Sequence, residues 1–501
     1  MKILLINPYL TYYKASIEKE RPTLNEPLGL GYLASCLMKY GYEVSILDAV
    51  ATGNNEMKDG DYFIFGMKKE DIKGEIKKFN PDVVGITSMY TLHAKAAHDT
   101  ARFVKEVKDV PVIVGGSHAS VFFSELLHDK NIDIVVIGEG EETFLDLVRH
   151  LEKGKSIKNV DGTAIKYKGK IKINKERLLI KNLDDIPFPA RELMPMELYM
   201  NDWYRQRMAM RPPRANIVTS RGCTGRCPFC SIHSIWHHTW RGRSAENVVD
   251  EIEILVKKYG AKEIAFQDDN VSLDKNRMGR ICDLIIKRKL NIRWCTPNGI
   301  AIWTLDEKLI DKMKKSGCYK LTFGIETACL EIQKFINKTH INLERAKEII
   351  KYCNKKGIWT HSTFIIGFPY ETREQIQQSI DYAMSTDLDM ATFYMATPYP
   401  GTIMWDIYKK EGLLPPEEKI LEWTTTPDTD PLNTKYLDGK EIQELRNKAH
   451  ARFYADRRKK FLNPLRILRK VHSIEEFKYM LKLAGVSGTV MKELAEDKTI
   501  K

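Results

Sequence analysis

Three cysteines stand within eight residues in the run RGCTGRCPFC, at Cys223, Cys227 and Cys230, with three and then two residues between them. Sulfur is the usual ligand of iron in iron-sulfur clusters, and thiolates at spacings of two to four residues let one loop wrap several metal atoms. Three thiolates serve three irons of a four-iron cluster. The fourth iron then keeps an open position, which direct binding of a substrate or cofactor requires. A structural zinc site wants four ligands, and His233, His237 and His238 follow closely enough to complete one. Spacing alone favours iron-sulfur and leaves zinc open.

The elements that must position this loop form a βα series. The strand-like run NIVTS, ending at Ser220, leads into the cysteines, and five more runs follow: EIAFQDD to Asp269, IRWCTP to Pro297, KLTFGIE to Glu326, THSTFIIGF to Phe368 and MATFYMATP to Pro398. Helical patterns lie between them, as in SAENVVDEIEILVKKYG, where Ser244 is placed to cap the first turn and Glu246 suits the positive helix end. Six βα units predict a partial barrel of parallel strands over residues 206–415. By analogy with closed βα barrels, its chemistry belongs at the carboxyl ends of the strands.

Residues 1–155 alternate a second set of apolar runs with helical spacing: KILLI, EVSIL, DVVGIT, PVIVGG and DIVVIG. Five such runs predict an open, doubly wound parallel sheet with helices on both faces, whose ligand lies beyond the carboxyl ends. Those ends carry Asn7, then Thr87, Ser88 and Met89, then Gly115, Gly116, Ser117 and His118, then Gly138, Glu139, Gly140 and Glu141. Small residues there let a ligand approach the backbone, or merely form tight strand-to-helix turns. No GxGxxG follows the first strand, which argues against a dinucleotide. Residues 156–205 read as a hairpin turning at Gly169 and leaving the first domain, then a linker with three prolines from Pro187 to Pro195.

From residue 416 the repeat is lost and helices are expected to the end. There Arg457, Arg458, Lys459, Lys460, Arg466, Arg469 and Lys470 interleave with Phe461, Leu465, Ile467 and Leu468. Such a basic amphipathic segment suits a peripheral contact with an anionic membrane or a cover over a substrate channel. A solvated helix packed on the barrel is the better reading.

A chain of 501 residues, 43% hydrophobic and 29% charged, suits two or three globular domains, and no run reaches the roughly 18 apolar residues that span a bilayer. The start, MKILLINPY, lacks the features of a secretory leader. Nine cysteines, three clustered and the rest scattered, suggest reduced thiols rather than a disulfide framework, so a cytoplasmic protein is expected. The net charge of +12 is spread through helical patterns as on a solvated surface. A nucleic-acid partner is not expected, although a zinc-bearing nucleic-acid-binding protein is the rival from another class.

The CxxxCxxC pattern with Phe229 before the third cysteine, at the end of the first strand of a six-unit βα series, resembles the radical S-adenosylmethionine (SAM) superfamily. The resemblance implies a 4Fe-4S cluster on Cys223, Cys227 and Cys230, with SAM on the open iron, cleaved to methionine and a 5′-deoxyadenosyl radical. It also implies SAM contacts from Phe229, from Gln267, Asp268 and Asp269 near the amino group, and from Thr296, Asn298 and Glu326 near ribose and carboxylate. Ile366 and Gly367 in FIIGFP would lie beside adenine.

The segments VGGSHAS, IGEGEET and CSIHSIWHHTWRGRS extend the likeness to the cobalamin-binding radical SAM class, which includes the anaerobic magnesium-protoporphyrin ester cyclases, hopanoid methylases and archaeal tetraether ring-forming enzymes. The N-terminal strand ends would then hold cobalamin, with His118 a candidate contact; no DxHxxG motif supplies a lower cobalt ligand. The class implies a C-methyltransferase acting on an unactivated carbon of a lipid, porphyrin or other natural product, with ring formation or oxidation without methyl transfer as the alternative. It further implies a small-molecule or lipid substrate and an external electron donor such as ferredoxin or flavodoxin.

Overall fold

The computed structural model of the protein describes residues 1–13, 24–53, 55–60, 62–202, 206, 209–416, 431–461 and 463–496; the side chains of Phe461, Leu465 and residues 486–496 fall outside that description. Among the described residues the chain forms two compact units. One takes residues 1–202 with Ser231–His237; the other takes 206 and 209–230, His238–Pro416 and 431–496.

In the first unit, strands β1 (Lys2–Asn7), β3 (Glu43–Asp48), β6 (Val83–Thr87), β7 (Val112–Gly115) and β8 (Ile134–Val136) pair in parallel in the order β3-β1-β6-β7-β8. Their sequences are continuous apolar runs because helices cover both faces: Ile3 to Ile6, Val83, Val84 and Val112 to Val114 are all buried. Side chains of helix Ala94–Val107, including Ala97, Ala101 and Val104, pack into the same core as Leu4, Ile6, Val84 and Val114. From β1 the chain goes first to one side and then to the other, so the crevice between β1 and β6 is a topological switch point, the usual ligand position in such sheets.

Two features depart from the sequence reading. The hairpin β9 (Thr163–Tyr167) and β10 (Lys170–Ile173) does not lead away from the sheet but extends it, β9 pairing antiparallel with β8. A second, antiparallel sheet of β2 (Leu10–Tyr13), β4 (Asn55–Asp59) and β5 (Tyr62–Gly66) arises from segments whose polar strand and short runs give little periodic signal.

The second unit is a six-stranded, all-parallel sheet in chain order: β11 (Arg214–Ile217), β14 (Glu263–Phe266), β15 (Arg293–Ile300), β16 (Cys318–Glu326), β17 (Trp359–Ile366) and β18 (Met390–Met395). A short antiparallel pair, β12 (Ser220–Gly222) with β13 (Trp240–Gly242), stands beside the cysteine loop. The intervening helices start on side-chain caps. Ser244 accepts from Asn247 N, as its place in the sequence predicted, and Asp274, Asp306, Asn342 and Thr372 act likewise.

The C-terminal helices belong to this unit. Helix Gly439–Phe461 covers the free edge of β18: His450 Nε2 accepts from Phe393 N at 2.9 Å, and Tyr454 Oη donates to Ala391 O at 3.1 Å. The basic segment is only partly a solvated face. Arg457 and Lys470 are buried, Arg457 on the carbonyls of Ala383 and Thr386, Lys470 on Asp389 and Ile358 O, while Arg466 bonds Asp387 and Asp389. Phe461 and Leu465, counted among its apolar residues, have side chains outside the described set. No helix among the described residues is long and apolar enough to cross a membrane.

Candidate active site

The cysteine loop is built on acids at the end of the neighbouring strand. Asp268, buried just beyond β14, accepts from Thr219 N at 3.2 Å, Thr219 Oγ1 at 2.7 Å and Ser220 Oγ at 2.5 Å. Burial pushes its carboxyl pKa up against the pull of these donors. Asp269 Oδ2 accepts from Gly222 N at 3.0 Å. The two acids therefore fix the backbone that delivers Cys223, and Asp268 has both oxygens engaged in doing so.

Cys223, Cys227 and Cys230 are free and partly buried. Gly225 N lies 3.4 Å and Asn270 Nδ2 3.8 Å from Cys223 Sγ. A β-carbon on Gly225 would stand 3.4 Å from Cys223 Sγ and 3.8 Å from Cys227 Sγ, so these two thiols flank one point. The loop is braced along its length: His238 Nδ1 lies 2.9 Å from Gly225 O, Asn337 Nδ2 donates to Arg226 O at 2.9 Å, and Met404 N donates to Pro228 O at 2.9 Å. Phe229 packs against Phe368, ring centroids 5.9 Å apart.

This arrangement separates the two metal readings. Among the described residues no three His, Cys, Asp or Glu side chains converge as one metal ion needs. His233 Nδ1 faces His237 O at 2.8 Å, His237 pairs with Glu176, and His238 sits on the loop carbonyl. Thiols spread around a loop fit a cluster whose irons each take one sulfur. Burial pushes the Cys227 thiol pKa up, and the nearby Lys338 ammonium opposes the rise.

The remaining strand ends carry the other expected SAM residues. Gln267 Nε2 donates to Asn216 Oδ1 at 3.0 Å, and Gln267 O accepts from Asn298 Nδ2 at 2.9 Å, so Gln267 and Asn298 are adjacent. Thr296 is buried in β15, its Oγ1 accepting from Thr322 N at 3.3 Å. Glu326 ends β16 at a register shift and in a left-handed conformation, φ +68°. Such backbone strain in a non-glycine residue persists only where its surroundings enforce it. Ile366 is buried at the end of β17, and the Gly367 turn is held by Glu371, whose Oε2 accepts from Gly367 N at 2.7 Å and Phe368 N at 3.2 Å.

Three residues here escaped the sequence reading. Asn270 follows the expected acid pair directly, so its position was the available signal. Glu371 lies four residues beyond Gly367 and is buried by a turn that no pattern announces. Lys338 comes from a turn after helix Leu330–Phe335, where one lysine among many carries no mark.

At the strand ends expected to hold cobalamin, in the first unit, Asn7 Nδ2 donates to Asp48 Oδ1 at 3.0 Å at the end of β1. Thr87 ends β6; Ser88 N donates to Gly115 O at 2.7 Å, and Ser88 O accepts from His118 N at 3.1 Å. Gly116 has φ +119°, and a β-carbon there would stand 2.6 Å from Ser88 O, so only glycine lets these two strand ends meet. Ser117 begins a short helix, and Met89 is exposed. His118 is buried, stacked on Phe122, with Nδ1 3.1 Å from Thr91 Oγ1. Its Nε2 and the Ser88 Oγ are buried without a hydrogen-bond partner among the described residues. Burial and then His98 lower the His118 pKa to about 4, so its ring is neutral. Gly138 N donates to Ser120 Oγ at 3.0 Å, Glu139 accepts from Ile180 N at 2.8 Å, and Gly140 and Glu141 open helix Gly140–Glu152. A crevice at a sheet switch point with two unanswered polar atoms fits a large polar cofactor.

Comparison with known proteins gives the family. Residues 217–383 match the Radical SAM superfamily and residues 19–148 match the B12 binding domain. The chain is 36% identical over 490 residues to cytidylyl-2-hydroxyethylphosphonate methyltransferase of Streptomyces wedmorensis, covering 91% of this chain and 90% of that protein. It is 37% identical over 458 residues to an uncharacterized methyltransferase of Pyrococcus horikoshii, covering 91% and 92%. In fold it resembles the radical S-adenosylmethionine methyltransferase TsrM of Kitasatospora setae, solved with cobalamin and a [4Fe-4S] cluster bound, at TM-score 0.69 and 17% identity over 99% of both chains. The chain thus belongs to the B12-binding radical SAM methyltransferases. It is an enzyme whose cofactors are a 4Fe-4S cluster, SAM and cobalamin.

Proposed function

We propose that the enzyme methylates an unactivated carbon of a small molecule. Cys223, Cys227 and Cys230 hold the cluster; Phe229, Gln267, Asp268, Asp269, Thr296, Asn298, Glu326, Ile366 and Gly367 surround SAM, Asp268 also bracing Thr219 and Ser220. Asn7, Thr87 to Met89, Gly115 to His118 and Gly138 to Glu141 form the cobalamin crevice. When bound, the cluster with SAM supplies the radical that takes a hydrogen from carbon, and cobalamin carries the methyl group. The chain's own residues bind, align and exclude water from these groups. The observation that carries this reading is the pairing, in one chain, of a three-thiol loop at a strand end with a separate switch-point crevice where Ser88 Oγ and His118 Nε2 have no partner among the described residues.

A small anionic substrate is favoured by the identity to the Streptomyces enzyme across nine-tenths of both chains. Nine free cysteines and a cluster that needs an external electron suit the reducing cytoplasm, with a ferredoxin or flavodoxin as donor. A membrane contact through the basic segment is less favoured, since Arg457, Arg466 and Lys470 are already paired within the fold.

The test is to incubate reconstituted enzyme with SAM, cobalamin and a reductant. A nucleotide-linked hydroxyethylphosphonate is supplied first, then a porphyrin and a lipid extract. The expected product gains one methyl group while 5′-deoxyadenosine accumulates. A product that loses hydrogens with ring closure replaces methylation by cyclisation, and methylation without 5′-deoxyadenosine removes the radical step.

A further inference from the structure

Lys338 is held against the cysteine loop by its own neighbour. Asn337, at φ +56°, donates from Nδ2 to Arg226 O at 2.9 Å, between Cys223 and Cys227 in sequence. Lys338 N donates to Gln333 O at 2.8 Å, which fixes the turn from behind. The lysine side chain is buried, 8% exposed, and its Nζ donates to Gly324 O at 2.7 Å and Glu326 Oε1 at 3.1 Å. Glu326 is also 8% exposed, and its second oxygen accepts from Thr363 Oγ1 at 3.1 Å. Burying a lysine costs free energy that a surface lysine avoids, and its partner Glu326 has a left-handed backbone. An ion pair needed only for stability would be served by apolar residues in its place.

We propose that Lys338 is a fixed positive charge that sets the reduction potential of the 4Fe-4S cluster, and that Glu326 moderates how much of that charge the cluster feels. The inference rests on the assignment of the cluster to the three cysteines. One-electron reduction adds a negative charge to the cluster, and a buried cation close by stabilises that charge where the local dielectric is low. Glu326 acts with the opposite sign. Electrostatics around the loop agree in direction: burial alone lowers the Lys338 pKa, but Glu326 and then Cys227 outweigh it and keep the ammonium charged.

The experiment compares reconstituted wild type with Lys338→Met, Lys338→Arg and Glu326→Gln, each assayed for iron and sulfide. The EPR signal of the reduced cluster is then titrated against potential without SAM. Lys338→Met is expected to weaken one-electron reduction at least tenfold, about 59 mV more negative. Lys338→Arg should stay near wild type, and Glu326→Gln should move the potential the other way. Unchanged potentials, or shifts of the same sign in Lys338→Met and Glu326→Gln, overturn the proposal. If Lys338→Met fails to hold four irons, Glu326→Gln decides alone: a potential equal to wild type overturns it. A wild-type protein that assembles no four-iron cluster refutes the cluster assignment instead.

Discussion

Asp269 Oδ2 accepts a hydrogen bond from Gly222 N at 3.0 Å, and the next residue in the chain is Cys223. A charged acceptor on a backbone donor contributes about 1.5–3 kcal/mol. Asp269→Ala is therefore expected to free the start of the loop and lose its cluster to a chelator roughly tenfold more readily. Asp269→Asn keeps an oxygen in place and should lose much less. Iron and sulfide remaining after timed exposure to chelator measure the difference, and equal retention in Asp269→Ala and wild type would refute the role.

At Gly116 the backbone itself is the constraint. A β-carbon there would meet Ser88 O at 2.6 Å while φ stays at +119°. Gly116→Ala is expected to destabilise the chain by about 1–3 kcal/mol and to weaken cobalamin uptake. Urea unfolding and equilibrium dialysis report the two effects.

His118 separates stability from cofactor binding. Its Nε2 is buried without a partner among the described residues, a condition that costs about 1–3 kcal/mol. His118→Phe removes that atom and keeps a ring against Phe122 but also takes Nδ1 from Thr91 Oγ1, so the cofactor-free protein should stay within about 1 kcal/mol of wild type. Cobalamin binding should weaken, by roughly tenfold if one hydrogen bond is lost. Unchanged affinity would reduce His118 to a buried core residue.

Glu371 predicts a pH dependence. Burial raises its carboxyl pKa from 4.5 to about 8, against the two backbone donors of Phe368 and Gly367. A carboxyl whose folded pKa is raised binds its proton more tightly in the folded state. Its contribution to stability is complete below about pH 4.5 and is lost as pH rises through about 8. Wild type should thus weaken across that window, and Glu371→Gln, which carries no charge, should weaken less. Parallel denaturation curves at several pH values would rule this out.

Lys470 tests the C-terminal helices. Its ammonium, Arg466 and Asp389 form one buried network, and burial lowers the Lys470 pKa to about 8 despite Asp389. Lys470→Met leaves Asp389 half-answered and is expected to cost about 3–5 kcal/mol. A thermal midpoint equal to wild type would show that Arg466 suffices.

What could be read in the sequence follows from how each feature is encoded. Buried parallel strands are apolar runs ended by Gly, Pro or acids, so β1, β3, β6, β7 and β8 and the six barrel strands were all visible. The loop of Cys223, Cys227 and Cys230 was visible because its ligands are local. Lys338 and Glu371 were not, because their meaning lies in burial against residues distant in the chain. The same applies to Arg457 and Lys470, which look like a solvated basic face until Asp389 and the carbonyls of Ala383, Thr386 and Ile358 are in place. Asp268 was visible by its position, but that its oxygens serve Thr219 and Ser220 was not, because those residues lie on another strand end.

The cover that His450 and Tyr454 place over β18 decides what the smallest independent piece of this enzyme is. Residues 217–383, the stretch shared across the superfamily, stop short of β18 and of the helix that shields it. Excised at those limits, the fragment would present the bare backbones of β14 and β17 to its own copies and pair with them edge to edge. The borders of the recognisable sequence family thus leave out most of β11, all of β18 and the helix that shields it.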